Sequence, residues 1–366
     1  MTHEAGRSTH TEDAGRTTLR HDARRSAPNQ DARRTAPNHD ARRSAPARLR
    51  LAVDWAPAYE LVLSLICFVT FPKHNLLELG EGWAREVRSR LPADLAVSLQ
   101  RKNVAAALNL KEDDLLLLLV RTCPGDRDAA SFIRWLSRLN AGEAYEAVGP
   151  RLRDTGPRLP RDFANWRDRC VSVLHTWQDA YFDGIDPAIL TGLWAEANRL
   201  SSHLVGPPQA VVERVTNGIY VEPTPEPLTV TLVPQYHQRP YNHDAMEQGG
   251  LIILYPADIC PVSPDHPPAG LLRVTRALSD ESRLRMLRFL ADGTRTLSEL
   301  ARFTGLTQPT VHHHLVQLRA AGLVRAHVQG AGSRRYSLRP RALDQLRNQL
   351  TDYLNAPASE TERQQA

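Results

Sequence analysis

The segment from residue 270 to 339 places the strongest constraint on the fold of this chain. Its middle contains two short helical patterns separated by a tight turn at Gly305. Ser298 is a good N-cap for the first helix, and Gly305 ends it. Thr307 caps the second helix, and Pro309 lies in its first turn, where the missing N–H costs nothing. These signals predict two helices joined by a short turn.

The residues after the second helix have the alternation of a β-hairpin. The helix itself carries Val311, Leu315 and Leu318 at the spacing of one buried face. Residues 323–328 then alternate as a strand, a loop with two glycines follows, and residues 334–338 return. A helix-turn-helix followed by such a hairpin is a winged helix-turn-helix, whose second helix fits the major groove of DNA.

The polar residues of this segment are candidates for contacts with DNA. For base contacts we select Gln308, Thr310, His312 and His313, because Gln and Thr side chains pair with base edges. For backbone or wing contacts the candidates are Ser298, Thr307, His314, Arg325, Arg334 and Arg335. The alternative for the wing arginines is a solvated strand face. A metal site on His312-His313-His314 is not predicted, because adjacent helical side chains diverge by about 100°.

The same stretch resembles the ArsR family of bacterial winged-helix regulators. The shared residues are Ala277-Leu278-Ser279-Asp280, Arg283-Leu284, Leu297-Ser298-Glu299-Leu300-Ala301, Gly305-Leu306-Thr307-Gln308, Thr310-Val311, His314-Leu315, Leu318 and Ala321-Gly322-Leu323-Val324. The resemblance implies DNA binding, repression, and a homodimer in which the first and last helices of the module pair. The alternative is that both helices pack within the chain against the middle domain.

The metal-sensing pattern of that family is absent from the sequence. Residues 296–300 contain no Cys-x-Cys, and residues 342–349 lack the spaced Asp and His ligands of the zinc sensors. We therefore expect no metal and no cofactor.

Charge separates the chain into unlike parts. Residues 270–341 hold 13 arginines against four acids, a net charge of +9, whereas residues 51–269 carry −7. A basic module attached to an acidic one is typical of a DNA reader joined to a regulatory or dimerising domain. The four cysteines are far apart, no signal peptide is evident, and the longest apolar run is about half a membrane span. These features predict a cytoplasmic protein that does not enter a membrane.

The pattern along the chain predicts a mainly α fold with small antiparallel sheets. Residues 1–48, which contain a repeat of nine residues, should be disordered; they are either a weak basic arm or an expansion without a role. Residues 49–260 should form a helical domain with a β subregion, 261–269 a linker, 270–339 the DNA reader and 340–355 a last helix for dimerisation. Residues 356–366 should again be disordered.

The densest polar cluster outside the reader lies between two predicted strands. Its candidates for a ligand pocket are Tyr236, His237, Arg239, Tyr241 and His243. The alternatives are a metal site and a polar hairpin connection.

Together these observations favour a sequence-specific transcriptional regulator that is not an enzyme and acts on double-stranded DNA as a homodimer, with a small-molecule effector as a further partner. Two other functions stay open: an enzyme fused to a DNA-binding module, and a DNA-organising protein with little sequence preference. A pocket with paired titratable groups would favour the enzyme.

Overall fold

The computed structural model describes residues 49–70, 76–93, 99, 114–153, 158–259, 267–328 and 334–355. The nine-residue repeat, most of residues 94–113, most of the predicted linker, the tip of the wing and the C-terminal tail lie outside these ranges. None of the helices in the described ranges is long and apolar enough to cross a membrane.

The first part of the chain is mainly helical, as predicted. Its helices are α1 (Pro57–Thr70), α2 (Gly80–Arg90), α3 (Asp114–Thr122), α4 (Ala129–Arg138), α5 (Ala141–Val148), α6 (Phe163–Ala180), α7 (Pro187–Ser202) and α8 (Pro208–Val215). Four of them begin where a side chain accepts a hydrogen bond from the first turn, and these caps are Asp128, Asn140, Asp162 and Asp186. Helix α5 was not predicted from the sequence.

Two helices without a polar face form the centre of the core. Every residue of α1 from Ala58 to Phe68 is buried, and so are residues 115–120 of α3. Helix α6 packs against α1 and α4. Cys67 lies inside α1 and is buried. Burial also raises the pKa of Cys123 to about 11 and that of Cys170 to about 12, which keeps these thiols protonated.

The described residues of this part contain five strands, and four of them form a mixed sheet. The strands are β1 (Leu49–Val53), β2 (Ile219–Val221), β3 (Leu228–Gln235), β4 (His243–Glu247) and β5 (Gly250–Pro256). The order in the sheet is β1-β3-β5-β4, without β2, and β1 and β5 both pair with β3 in parallel.

The expectation of purely antiparallel sheets is therefore corrected, although the mainly α class is confirmed. After β3 the chain crosses to the edge position of β4, and a turn at Gly249 returns it as β5 between β3 and β4. Because β5 is antiparallel to β4 and lies between β3 and β4, it runs parallel to β3.

The C-terminal part has the predicted winged helix-turn-helix. Its elements are α9 (Ala269–Leu278), α10 (Glu281–Ala291), β6 (Arg295–Thr296), α11 (Leu297–Thr304), α12 (Gln308–Ala320), β7 (Val324–Val328), β8 (Arg335–Leu338) and α13 (Ala342–Asn355). The predicted face of α12, Val311, Leu315 and Leu318, is fully buried against residues such as Met286 and Leu300.

Strand β2 joins the sheet of the wing, and this was not predicted. The order is β2-β7-β8-β6, with β2 parallel to β7 from Ile219↔Ala326 to Val221↔Val328. Gly218 precedes β2 at φ +125°, and a Cβ atom there would lie 2.8 Å from the carbonyl oxygen of Val324. The close approach of the two backbones thus requires glycine. The sequence-predicted domain boundaries near 260 and 270 stay predictions, and residues on either side of them share this sheet.

Candidate nucleic-acid interface

Helix α11 is fixed by a capping box. Thr296 is its N-cap and accepts a hydrogen bond from the backbone N–H of Glu299, whose carboxylate accepts one from the N–H of Thr296 at 2.7 Å. The prediction that Ser298 caps this helix was wrong by two residues, although the pattern Thr-x-x-Glu is visible in the sequence. Gly305 ends the helix in the left-handed conformation at φ +74°, as its role in the turn requires.

Helix α12 presents its first turns to solvent. Thr307 is the N-cap and accepts from the N–H of Thr310. The four residues selected for base contacts, Gln308, Thr310, His312 and His313, are all exposed. The amide of Gln308 donates to the exposed Ser298 hydroxyl at 3.3 Å, which joins the polar edges of the two helices. Exposure makes these side chains accessible to DNA but does not test the contacts with bases, which stay predictions.

The three histidines point in different directions. His313 lies beside Gln317, with 2.8 Å between their nitrogens, and Gln317 accepts a hydrogen bond from the buried Arg283. His314 is mostly buried, and its Nδ1 lies 3.9 Å from the carboxylate of Asp280. Burial lowers the pKa of His314 and outweighs the opposite effect of Asp280. The structure thus places His314 against α10, away from the exposed edge. No group of three metal-ligating side chains occurs in the described ranges.

Two of the three wing arginines are engaged by acidic residues of the first part of the chain. Arg325 donates to both carboxylate oxygens of Glu213 at 3.0 and 2.8 Å and stacks on Tyr220. Arg334 pairs with Asp244 at the edge of the first sheet. Arg335 is exposed and forms no ion pair with a described residue. Of the three, Arg335 is therefore the one left accessible to a phosphate.

The five residues of the predicted ligand pocket do not line one pocket. His237 is completely buried between the carboxylate of Glu60 and the hydroxyl of Tyr181, with 2.7 Å between the imidazole Nε2 and that hydroxyl. Burial raises the pKa of Tyr181, which therefore stays protonated.

The other four residues do not border a common cavity. Arg239 is buried, stacks on the ring of Tyr236 and pairs with Glu78 at 3.5 Å. His243 begins the edge strand β4. Tyr241 alone among the five borders the cavity described next.

This cavity, the α12 cavity, lies between the C-terminal half of α12 and the loop that joins β3 to β4. Its volume is about 280 Å³. The residues that define it are His312, Val316 and Arg319 of α12, Gln238, Pro240 and Tyr241 of the loop, and Arg334 before β8. Arg319 was not singled out from the sequence, because an Arg near the end of a helix has no distinguishing local signal.

The capped helix pair, the left-handed turn and the three-stranded wing define a winged helix-turn-helix, a class of fold that places its second helix in the major groove of DNA. Residues 280–326 match the family described as "Bacterial regulatory protein, arsR family". This part of the chain is an arsR-family helix-turn-helix domain, as the resemblance implied.

Curated relatives match the same region. The HTH-type transcriptional regulator CmtR of Mycobacterium tuberculosis is 44% identical over 62 residues, which are 17% of this chain and 52% of the relative. A probable mercury resistance operon repressor of Streptomyces lividans is 40% identical over 78 residues, 21% of this chain and 62% of the relative. The chain thus spans about half the length of these relatives.

Solved structures align with the same part of the chain. An ArsR-like transcriptional regulator from Rhodococcus is 31% identical and covers 23% of this chain and 77% of its own, with a TM-score of 0.21. A homodimeric winged helix-turn-helix DNA-binding domain from Mycobacterium bovis is 26% identical and covers 25% of this chain and 87% of its own, with a TM-score of 0.19.

Proposed function

We propose that this chain is a sequence-specific transcriptional regulator that binds double-stranded DNA through α12 and the wing. The observation that carries the proposal is the exposed first half of α12 on a capped arsR-family helix-turn-helix. The net charge of +9 on residues 270–341 supplies the long-range attraction to phosphates. Repression by occlusion of the polymerase fits the repressor relative from Streptomyces lividans.

The division of labour in the reader is testable on a DNA site obtained by in vitro selection. Gln308→Ala should weaken binding to the selected site by about 1–3 kcal/mol, roughly 5- to 150-fold, and leave binding to scrambled DNA nearly unchanged. Arg335→Ala should weaken binding to both DNAs and reduce the salt slope by about one. Arg169→Ala, on the exposed face of α6, is the matched control.

Fluorescence anisotropy at several salt concentrations measures all of these affinities. Equal losses on both DNAs for both variants would contradict the division between base and phosphate contacts. If the in vitro selection enriches no sequence, the proposal of sequence-specific binding is contradicted and the DNA-organising alternative is favoured.

The functional unit in this proposal is a homodimer formed through α13. Three leucines on this helix are exposed, with fractions of 62% for Leu343, 42% for Leu350 and 69% for Leu354. Such an apolar stripe on a terminal helix is suited to a second copy of the chain. The two recognition helices of a dimer would then enter successive major grooves about 34 Å apart on a near-palindromic site.

The mass in solution tests the dimer directly. The wild type should sediment as a dimer, and Leu350→Glu with Leu354→Glu should give a folded monomer that loses affinity for the full site. Asn348→Glu with Asn355→Glu, which adds the same two negative charges at other exposed positions of the helix, should remain dimeric. A wild type that is monomeric at high concentration would contradict this part of the proposal.

The proposed role of residues 49–260 is to control residues 270–339. Three contacts support it: the pairing of β2 with β7, and the ion pairs of Arg325 with Glu213 and of Arg334 with Asp244. A conformational change in residues 49–260 would thereby reach the wing through direct contacts. Sensing of an effector by this part belongs to the proposal, and a promoter–reporter assay with and without the gene tests the direction of regulation.

A further inference from the structure

The α12 cavity holds an excess of positive charge. Arg319 and Arg334 both border it, and one carboxylate, that of Asp244, pairs with Arg334. Among the residues that the structure describes, the guanidinium of Arg319 has neither a hydrogen bond nor an ion pair. A cation held in a recess beside a second cation is unfavourable unless an anion compensates it.

The electrostatics of the neighbouring groups agree with this charge. Burial, followed by the nearby charge of Arg334, lowers the pKa of Arg319. Burial, followed by the charges of Arg319 and Arg334, lowers the pKa of His312. His312 is consequently neutral near pH 7, and the positive potential of the cavity comes from the two arginines.

Part of the remaining wall of the cavity is suited to an apolar body. Leu76, Pro240, Tyr241, Val316 and Ala320 border it, and the amide side chains of Asn217, Gln238 and Asn242 complete the lining. The volume of about 280 Å³ lies just below the usual range of about 300–1,000 Å³ for small-molecule sites. A cluster of arginines alone would suit any phosphate, but a recess with partly apolar walls favours a ligand that carries its own apolar group.

We propose that the α12 cavity binds a small organic carboxylate, with the carboxylate on Arg319 and Arg334 and an aromatic or aliphatic body against Val316 and Pro240. The consequence for DNA rests on the regulatory function proposed above. A bound anion adds negative charge beside the recognition helix and ties α12 to the loop between β3 and β4. Both effects weaken DNA binding, and by linkage DNA weakens binding of the carboxylate to the same extent.

The α12 cavity differs from a second cavity in how its arginines are paired. The second cavity, of about 210 Å³, is bordered by Arg214, Arg239 and Arg273 and by two carboxylates, those of Glu78 and Asp258. There Glu78 pairs with Arg239 and Arg273, so these two buried or half-buried cations have an anionic partner within the protein. Among the described side chains Arg319 has no hydrogen-bonded or ion-paired carboxylate, and the nearby Asp244 is already paired with Arg334.

Calorimetric titration of the full chain without DNA tests the site. The probes are benzoate, phenylacetate and hexanoate, each compared with its neutral amide, and inorganic phosphate as an anion without an apolar body. At least one carboxylate should bind once per chain with a dissociation constant below about 1 mM, and at least tenfold more tightly than its amide and than phosphate. If no carboxylate saturates the protein by that concentration, or if amides bind equally well, the proposal is overturned.

Substitutions locate the bound probe. Arg319→Leu should weaken it at least tenfold, Arg319→Lys should retain part of the affinity, and Val316→Trp should block the cavity while leaving both arginines in place. Arg288→Leu removes an exposed arginine of α10, and its affinity for the probe should equal that of the wild type. Circular dichroism and the Tm confirm that each variant is folded. An unchanged affinity in folded Val316→Trp would place the probe elsewhere and overturn the assignment.

The last step separates a ligand site from a DNA contact. On the selected DNA site, saturating carboxylate should lower the affinity of the wild type, and Val316→Trp, which keeps both arginines, should retain its affinity within threefold but lose the response. If Arg319→Leu instead binds DNA weakly with a shallower salt slope and the wild type binds no carboxylate, Arg319 is a phosphate contact. If the protein binds a carboxylate but no DNA, the proposed ligand site is supported and the proposed regulatory function is contradicted.

Discussion

At the scale of single residues, Asp54 shows how a partly buried charge is stabilised in this fold. It follows β1 and accepts two hydrogen bonds from Arg127, at 2.9 and 2.6 Å, and one from the hydroxyl of Tyr59 at 2.7 Å. Burial raises the pKa of Asp54, but the bonds from Arg127 and Tyr59 together outweigh burial, so the pKa lies below its usual value. The carboxylate therefore stabilises the native state.

Asp54→Asn should lower the free energy of unfolding at pH 7 by about 1–3 kcal/mol, because it leaves the guanidinium of Arg127 without its charged partner. A carboxyl group whose pKa is lowered on folding contributes stability above its unfolded pKa and loses it as the pH falls through the folded value. The difference between wild type and variant should thus be full above about pH 5 and shrink below pH 4. Urea denaturation at several pH values measures it. Asp168→Asn removes an exposed partner of Arg167 and should change little.

At the scale of elements, the two caps proposed for α11 make different predictions. Thr296→Ala removes the N-cap hydrogen bond and its part of the capping box, and should cost about 1 kcal/mol. Ser298→Ala changes an exposed hydroxyl within the helix and should leave stability nearly unchanged. Denaturation of both variants decides between them, and a larger loss at Ser298 would restore the cap expected from the sequence.

Features that depend on local spacing could be predicted from the sequence, whereas contacts between distant residues could not. The buried face of α12 and its cap are local patterns, since spacing within one helix determines them, and they were predicted correctly. The partners of Arg325 and Arg334 lie 112 and 90 residues away along the chain. A single sequence shows that an arginine is charged, but it does not show with which distant acidic residue the arginine forms an ion pair. The pairing of β2 with the wing and the charge on Arg319 beside the α12 cavity were missed for the same reason.

At the scale of the whole molecule, the sheet shared by β2 and β7 connects the reader to the rest of the chain. Gly218→Ala places a Cβ atom 2.8 Å from the carbonyl oxygen of Val324, so the two strands must separate. Gly249→Ala is the matched control, because that glycine also has a positive φ, +66°, but faces open space. Backbone strain alone should then cost about 1–2 kcal/mol in the control.

The wild type should melt in one cooperative transition, because the shared sheet and its two ion pairs couple the reader to the mainly helical part. In Gly218→Ala the reader should melt separately and at a lower temperature, whereas Gly249→Ala should keep one transition at a slightly lower Tm. Differential scanning calorimetry records both, and hydrogen exchange at residues 324–328 reports on the separated strand. If Gly218→Ala keeps a single transition and full protection of β7, the shared sheet is not what couples the two parts. The route by which residues 49–260 control DNA binding must then run through side-chain contacts between them, such as the ion pairs of Arg325 with Glu213, Arg334 with Asp244 and Arg273 with Glu78.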